Sequence, residues 1–464
     1  MTYDHRREHL SGGPGNGQPG SPLVPSSTHG PSTADAASDV PGPVARSWLG
    51  LALAAFVIGA HLDGKDAGPL RNAVLVVTAP TALALLAARE QAARPNRLAL
   101  APAASTLGWA GLVLVAALGS AWSPYPSAAV RMVAYLLAWG GLFAAFRSFS
   151  MRGPRALPMV TALAAAFGLA IAVIQSAAFG NPFGASMVRF TSFASPQLFG
   201  LSLPILLALL LAAARAGHLG PTLVAPLCGA LLVASQMNGG RIGCVASLLV
   251  LLVSIVPTAG LTPGRALRLP ASVIAAAIVI ATAIRVIAPV SLQNLVDANP
   301  VRTLLTFSER AMQESGDAGT MRDRVKIWKA ISARQEHAST VAWMLGNGTA
   351  VSGAVIAEGD VDHCGLTAET MDANRTAHNE YLRALHEWGL AGLFALVALV
   401  STPTLLVARR FLAAGRGEDL LVLAATAGGL VGYPLVENTL AAAGTPLGIA
   451  IVLLYVEACG APSR

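Results

Sequence analysis

The sequence predicts an all-α integral membrane protein with about twelve transmembrane helices. Of its 464 residues, 54% are hydrophobic and 12% are charged, roughly half the charged fraction of an average soluble domain. The mean hydropathy is +0.60. The apolar residues also fall into runs of the length that one bilayer-spanning helix needs, roughly 17 to 25 residues.

The amino-terminal segment, residues 1–45, is rich in Gly, Pro and Ser and has almost no large apolar side chains. Such a segment cannot bury enough surface to order itself, so we expect a disordered cytoplasmic tail. It lacks the short apolar core that follows the start of a cleaved signal peptide. The first apolar run is therefore expected to stay in the mature protein.

Apolar runs predict nine helices in residues 46–289 and three more in residues 389–464. The predicted spans lie near 47–61, 70–88, 103–121, 128–146, 157–179, 197–214, 219–236, 241–257, 269–289, 389–408, 418–436 and 440–457. Between the two groups lies one long polar connection, residues 290–388, in which we expect helical segments.

Basic residues in the short connections predict the orientation of the spans. If the amino terminus is inside, the inner connections contain twelve arginines and the outer ones only five basic residues. This bias places both termini in the cytoplasm and residues 290–388 outside, by the positive-inside rule. The basic residues form no single patch or stripe, which argues against a nucleic acid partner.

Two outer arginines, Arg189 and Arg241, need an explanation other than orientation. Arg241 follows the Asn-Gly-Gly turn at 238–240, where flexible backbone can present its guanidinium to a ligand. A guanidinium in such a place can hold a phosphate through paired hydrogen bonds. Arg285 lies about one turn inside the outer boundary of the ninth span, where a functional role and simple snorkelling are both open.

One segment of the long connection, "GTMRDRVKIWKAISARQ", predicts an amphipathic helix that rests on the membrane or on the helix bundle. Val325, Trp328 and Ile331 recur at helical spacing, with charged residues on the other faces. Arg324 and Trp328 are four residues apart and can stack. A solvated structural lid is the alternative interpretation of this helix.

The stretch "TAHNEYLRALHEWGLAG" leads directly into the tenth span. On a continuous helix, His378 shares a face with Gly389 and Gly392, which would let another helix approach closely. Glu387 would then lie about 13 Å away, so we expect a supporting role for it. His378 is the best candidate for a general base, with interfacial packing as the alternative. Asn379 is expected to cap or hydrogen-bond locally.

His378 and Asn379, nine intervening residues, then Gly389 and Gly392 reproduce a His-Asn-x9-Gly-x-x-Gly signature. In this the chain resembles the O-antigen ligase and O-antigen polymerase superfamily, bacterial membrane glycosyltransferases that use lipid-linked sugars. The stretch "RFTSFASPQLFGLSLPILLALL" is similar to the family's outer loop before the sixth span.

Two arginine motifs add to the resemblance. Arg241 falls where the family has an arginine, although a hydroxyl residue more usually precedes it. Arg324 with Trp328, followed by "LGNG", resembles the family's Arg-x-x-x-Trp element; spacing favours Arg324 over Arg322 as the family's arginine. Gln197 stands where the family often has Asn.

The resemblance implies a GT-C-like architecture in the bacterial inner membrane, with a periplasmic active site and metal-independent transfer without a cofactor. The donor would be a glycan on undecaprenyl diphosphate. Cationic side chains would bind the diphosphate and stabilise it as it leaves, and His378 would orient or deprotonate the acceptor hydroxyl. The implied diphosphate ligands are Arg241, Arg324, Arg189 and Arg322, and the supporting residues are Asn379, Gly389, Gly392, Trp328 and Glu387.

The acceptor is open at this point. Lipid A core would make the protein a ligase of lipopolysaccharide biosynthesis, a second lipid-linked glycan would make it a polysaccharide polymerase, and a protein hydroxyl would make it an oligosaccharyltransferase. The single long connection favours the ligase. Outside the family, a multispan transporter predicts internal repeats and charged residues at the bilayer midplane, and the sequence shows neither.

Overall fold

Helices make up the fold throughout the part of the chain that the structure, a computed structural model, describes. The described residues are 100–150, 154–179, 190–191, 196–258, 262–296, 318–353, 377–439 and 446–459, all within the compact unit Gly42–Arg464. No strand occurs among them. The predicted tail and the first two predicted spans lie outside these ranges.

Thirteen α-helices are described, numbered here in chain order. They are α1 Leu100–Ser120, α2 Pro126–Ser150, α3 Ala156–Ile174, α4 Pro196–Arg215, α5 Pro221–Asn238, α6 Arg241–Ser254, α7 Pro263–Ile287, α8 Val290–Val296, α9 Ala318–Glu336, α10 Thr340–Leu345, α11 Glu380–Ala414, α12 Gly417–Thr426 and α13 Pro446–Ala458. A π turn, Gln175–Phe179, extends α3. A second π turn, Ala427–Gly432, and a 3-10 turn, Tyr433–Leu435, extend α12. Each of the ten predicted spans from 103–121 onwards overlaps one of these helices, although residues 440–445 of the last span lie outside the described ranges.

Five of the described helices are long and apolar enough to cross a membrane. These segments are Pro126–Phe143, Ala156–Ala177, Gln197–Arg215, Pro263–Ile287 and Glu380–Ala414. Shorter apolar helices are Leu107–Ser120, Arg241–Ser254 and Leu447–Ala458. These helices are compatible with a membrane protein, and the count of twelve spans stays a prediction.

Helix α4 forms the centre of the described bundle. Its span is 83% buried, and it packs against α3, α5, α6, α12 and α13. Helix α7 lies at the periphery, with only 11% of its span buried. Large side chains such as Ile278 and Ile287 are exposed along α7, as expected where a helix surface meets lipid rather than water.

The amphipathic helix predicted in the long connection is present as α9, but its buried face differs from the prediction. Ile327 and Ile331 are fully buried and pack with Ala377 in a small cluster of their own. Val325, predicted to belong to the apolar face, is exposed. Ile327 and Ile331 lie three and seven residues after Arg324, so Arg324 shares their side of the helix. A single exposed valine is common on protein surfaces and does not destabilise the helix noticeably.

Helix α11 begins later than a continuous helix through His378 would require, so that prediction is wrong. Its first residue is Glu380, and Asn379 is the N-cap, whose side-chain oxygen accepts a hydrogen bond of 3.0 Å from the Leu382 N–H. Asparagine is among the preferred N-cap residues because its short side chain satisfies an orphan backbone donor. His378 therefore lies in the turn before the helix.

Gly389 kinks α11 at the position where the tenth span was predicted to begin. Its φ is 65° and its ψ is −162°, a conformation that glycine adopts and other residues avoid. A Cβ there would lie 2.5 Å from the carbonyl carbon of Met344. The closely approaching neighbour is thus the end of α10, not another membrane span as predicted. Gly392, also buried, lies against Trp388 of its own helix.

Candidate active site

The centre of the candidate site is the carboxylate of Glu437. Its Oε1 lies 2.7 Å from Nδ1 of His378, and its Oε2 accepts a hydrogen bond of 2.9 Å from Nη2 of Arg324. The three side chains, here called the Glu437 cluster, are 9%, 20% and 13% exposed in that order. One partly shielded carboxylate thus joins two residues that were each selected from the sequence.

Three segments that are distant in sequence build the Glu437 cluster. Arg324 belongs to α9, His378 precedes α11, and Glu437 follows the 3-10 turn that extends α12. The partners of Glu437 are 113 and 59 residues away. Sequence reasoning missed Glu437. One signal in the sequence could have indicated it: Glu437 directly follows the predicted span 418–436. An acidic residue at the end of an apolar run usually has a functional or structural partner.

Two further hydrogen bonds fix the guanidinium of Arg324. Its Nη1 donates to the carbonyl oxygen of Val436 at 2.7 Å, and its Nη2 donates to Oε1 of Gln197 at 3.3 Å. Gln197 lies in the first turn of α4, so the central helix takes part in the site. The guanidinium is planar and holds its donors in a fixed fork, so these contacts orient it as well as bind it.

The backbone on both sides of His378 is tied down. The indole Nε1 of Trp328 donates a hydrogen bond of 2.7 Å to the carbonyl oxygen of Ala377, a contact different from the predicted stacking on Arg324. The N–H of Thr439 donates to the carboxylate of Glu380 at 3.1 Å. The chain segments 378–380 and 437–439 are therefore held together at both ends.

His378 itself has a φ of 47°, in the left-handed region that non-glycine residues seldom adopt. Such strain persists only where surrounding contacts impose it, and it clusters at functional sites. The hydrogen bonds around Ala377 and Glu437 supply that constraint here. The backbone of His378 is thus held in one orientation.

The electrostatics of the cluster fix the role of each imidazole nitrogen. Burial acts to raise the pKa of Glu437, but the hydrogen bond and charge of His378 and the charge of Arg324 outweigh it, so the pKa is lowered. The ionised carboxylate can only accept a hydrogen bond, so Nδ1 of His378 carries the hydrogen. In the neutral ring Nε2 then has the free lone pair that a general base needs.

Arg241 is the first residue of α6 and lies just after the turn predicted from the sequence. Asn238 shapes that turn: its side-chain nitrogen donates to the Phe190 carbonyl at 2.8 Å, and its side-chain oxygen accepts from the Gly240 N–H at 3.2 Å. Gly239 has a φ of 70°. The turn is therefore built by its own residues and by a contact to the preceding loop.

Close packing brings the start of α6 to the same end of the bundle as the Glu437 cluster. A Cβ at Gly243 would collide with the carbonyl oxygen of Gly200 on α4, so the two helices meet there backbone to backbone. Gly200 is three residues from Gln197, which contacts Arg324. Helix α6, which begins at Arg241, therefore meets α4 about one helical turn after Gln197.

The other predicted arginines are not placed. Arg322 lies in α9, but its side chain is outside what the structure describes. Arg189 lies outside the described residues altogether. Of the pair in α9, Arg324 is the one shown in the cluster.

Glu387 takes part in a buried ion network beside the site. Nε of Arg383 lies 3.2 Å from its carboxylate, and Nη1 of Arg383 lies 3.6 Å from Glu380. All three side chains are buried almost completely. Glu387 also accepts a hydrogen bond of 2.8 Å from the Ala350 N–H and another from the Ser352 hydroxyl. It anchors the segment after α10 and does not contact His378.

Within the described ranges, no three His, Cys, Asp or Glu side chains group together as metal ligands would. Metal-independent transfer stays a prediction. No protein-family model matches this chain, and a search of curated proteins gave no match. The family resemblance therefore rests on the sequence motifs themselves.

Proposed function

We propose that the protein is a membrane glycosyltransferase that moves a glycan from undecaprenyl diphosphate to an acceptor hydroxyl at the periplasmic face of the bacterial inner membrane. The observation that carries this proposal is the Glu437 cluster. It contains an oriented imidazole and a guanidinium at one end of a bundle of apolar helices. Attack by a hydroxyl needs a base, which we assign to His378, and loss of a diphosphate needs a fixed cation, which we assign mainly to Arg241 at the start of α6.

A groove between α5, α6 and α7 supports a lipid-linked donor. Its volume is about 410 Å³ and its lining is mainly apolar. Cys244, Leu248 and Leu251 line it and follow Arg241 at three, seven and ten residues, so they continue its side of α6. Arg285 lines the groove from α7. We assign the groove to the isoprenoid units nearest the diphosphate, and Arg285 to the phosphate rather than to snorkelling.

The proposed reaction uses these residues in one displacement. His378 Nε2 takes the proton of the acceptor hydroxyl as its oxygen forms a bond to the anomeric carbon. The bond between that carbon and the diphosphate oxygen breaks, and the electron pair leaves with undecaprenyl diphosphate. The negative charge of Glu437 stabilises the imidazolium that results.

The charge of Arg324 is already matched by Glu437, so the two arginines play different parts. Arg324 has hydrogen bonds to Glu437, Val436 and Gln197 and holds the cluster together. We assign the leaving diphosphate mainly to Arg241 at the start of α6. The low dielectric at a membrane interface would strengthen such a contact.

Reconstitution with an undecaprenyl-diphosphate glycan tests the proposal. Lipid A core, a second lipid-linked glycan and a hydroxyl-bearing peptide are offered separately. We expect transfer to lipid A core, which identifies a ligase; chain growth identifies a polymerase, and peptide modification an oligosaccharyltransferase. Failure to modify any of the three acceptors contradicts the proposal and leaves the transporter alternative.

Matched variants test the residues. His378→Ala should lower the transfer rate about 10²- to 10⁴-fold, the usual contribution of a general base. His337→Ala, at an exposed position beyond α9, should leave it unchanged. Arg241→Ala should lose activity. The control is Arg268→Ala, at an exposed position near the amino end of α7, which should keep it. Full activity of a stably inserted His378→Ala variant would show that this residue is not the base.

A further inference from the structure

Helix α10 carries an exposed apolar face. Its side chains Val341, Met344 and Leu345 are 68%, 51% and 49% exposed. They recur at helical spacing, so they share one side of α10. The helix, Thr340–Leu345, contains no charged residue. Three large apolar side chains exposed together on so short a helix indicate an interaction surface rather than scattered surface residues. We call this surface the α10 face.

Hydrogen bonds place α10 beside the end of α1. The Thr349 N–H donates to the Gly119 carbonyl at 3.1 Å, and the Thr349 hydroxyl donates to the Ala116 carbonyl at 2.6 Å. The Ser123 hydroxyl donates in turn to the Thr349 carbonyl at 2.6 Å. Leu345 precedes Thr349 by four residues, so it lies at most about 14 Å from this contact.

The exposed side of α1 indicates where the lipid-facing surface ends. Leu107, Leu114 and Leu118 are exposed at spacings of seven and four residues, so they form one column along the helix. Such a column on an apolar helix indicates contact with lipid. Trp122, also exposed, lies two residues beyond the end of α1, and tryptophan is enriched where a membrane meets water. The membrane interface therefore lies near Trp122, next to the contact with Thr349.

Helix α11 gives a second marker of the same boundary. A Cβ at Gly389 would lie 2.5 Å from the carbonyl carbon of Met344, so the end of α10 abuts the kink. Before the kink, α11 carries the buried charged residues Arg383 and Glu387. Phe394, five residues after the kink, is exposed. Five residues advance a helix about 8 Å, so the apolar exposed part of α11 begins close to α10.

We propose that the α10 face inserts into the interface of the phospholipid bilayer and anchors the long connection there. The two markers, Trp122 and Phe394, place α10 at the depth where the lipid-facing surface begins. Interfacial helices bury their apolar side about 5 to 10 Å into the boundary between headgroups and acyl chains. In the predicted orientation this is the outer leaflet. The contact requires only a bilayer, so it is independent of glycosyl transfer.

The anchor is connected firmly to the kink of α11. The Asn347 N–H donates to the His386 carbonyl at 3.0 Å, and the Gly348 N–H donates to the Glu387 carbonyl at 3.1 Å. The kink at Gly389 interrupts the helix, and carbonyls before such a break need partners from elsewhere. The turn after α10 supplies them. The depth of α10 in the bilayer therefore also fixes the depth of the kink.

Photolabelling from the lipid side tests the proposal. The full-length protein is reconstituted in phosphatidylcholine vesicles that contain a phospholipid with a diazirine on an upper acyl carbon, and peptide mass spectrometry locates the adducts. Ile287, exposed at the carboxyl end of α7, is the positive control. We expect the α10 face to be labelled with at least about one third of the Ile287 yield. A lower yield would overturn the proposal.

Lipid composition and protein density distinguish insertion from other contacts. Because α10 has no charged residue, replacing part of the phosphatidylcholine with phosphatidylglycerol should change the labelling less than about twofold. Labelling that requires phosphatidylglycerol would mean that basic residues draw this segment to the membrane, which contradicts insertion of the α10 face. Labelling that appears only after the protein is diluted in lipid would assign the face to a second copy of the chain instead.

Matched charge variants test the face itself. Val341→Asp places a carboxylate on the α10 face and should lower the labelling of α10 about tenfold, because a charge is costly in the apolar region. The control, Thr340→Asp, adds the same charge at an exposed position outside that face, where an acidic first turn suits the helix dipole, and should label as wild type does. Equal labelling of the two variants contradicts the proposal. If Val341→Asp does not fold, the wild-type yield relative to Ile287 decides.

Discussion

The two charged ends of the helix bundle are assembled in different ways. The Glu437 cluster joins residues 59 and 113 positions apart. At the opposite end of α4 from Gln197, where Asp419 pairs with Arg410 and Arg416, Arg416 and Asp419 are three residues apart, and Arg410 lies only nine residues from Asp419. A cluster drawn from remote segments depends on the whole fold. A cluster of near neighbours follows from one short connection, here the turn between α11 and α12.

The two ends also differ in burial. Arg383 and Glu387, beside the Glu437 cluster, are 0% exposed, whereas Arg416 is 35% exposed. Removing one partner of a buried pair leaves a charge without compensation, whereas exposed pairs contribute little. The comparison therefore predicts large effects for changes at the first end and small ones at the second.

The largest expected effect is on activity, from Glu437→Gln. A carboxamide can turn its N–H towards His378 and favour the wrong tautomer, so transfer should fall about 10²- to 10⁴-fold. Turnover assays across a range of pH, with Glu336→Gln at an exposed position of α9 as the control, measure this. Glu437→Asp should recover part of the rate. Wild-type turnover of Glu437→Gln would separate the cluster from catalysis.

The next effect is on stability, from Arg383→Met. The substitution removes the buried cation between Glu380 and Glu387 and leaves two carboxylates in contact with apolar surroundings. We expect a loss of about 3 to 5 kcal/mol in the free energy of unfolding. Thermal unfolding in detergent measures it, with Arg265→Met at an exposed position as the control. Similar melting temperatures for both variants would remove the contrast between the two ends.

The sequence predicted features that depend on local patterns and missed features that depend on contacts between distant segments. Apolar runs of bilayer length locate ten described helices, because burial of apolar side chains dominates there. The start of α11 was predicted wrongly as a helix continuous through His378, although Asn379, a preferred N-cap residue, indicates the observed start. The partner of His378 could not be predicted from the sequence, because no local pattern relates Glu437 to a residue 59 positions earlier. The buried face of α9 was likewise set by what α9 packs against rather than by its own composition.

A third prediction concerns the kink that separates the two parts of α11. Gly389→Ala places a side chain at a φ of 65° and a ψ of −162°, a region essentially restricted to glycine, which costs about 1 to 3 kcal/mol, and brings its Cβ 2.5 Å from Met344. We expect a total loss of about 2 kcal/mol or more in stability. The matched control is Gly111→Ala in α1, where a Cβ meets nothing within 4 Å; helix propensity should make it neutral or stabilising. The kink is dispensable if both variants melt alike.

Acid should reveal the ion pairs of the Glu437 cluster. The pKa of Glu437 is lowered in the folded protein, so its contribution to stability is complete above the carboxyl pKa of the unfolded chain. That contribution is lost as the pH falls through the lower, folded pKa. Melting temperatures of wild type and Glu437→Gln should therefore converge in this acidic window and separate above it. A difference that stays constant with pH would show that charge is not its source.

The smallest effect is expected at the other end of the bundle, from Arg416→Gln. Arg416 is 35% exposed, and Asp419 keeps its pair with Arg410 when Arg416 is removed. Solvent screening then limits the loss to about 0 to 1 kcal/mol, and added salt should reduce it further. Thermal unfolding at low and high ionic strength measures both. A loss comparable to that of Arg383→Met would mean that local pairs at an exposed end support the fold as strongly as the buried network does.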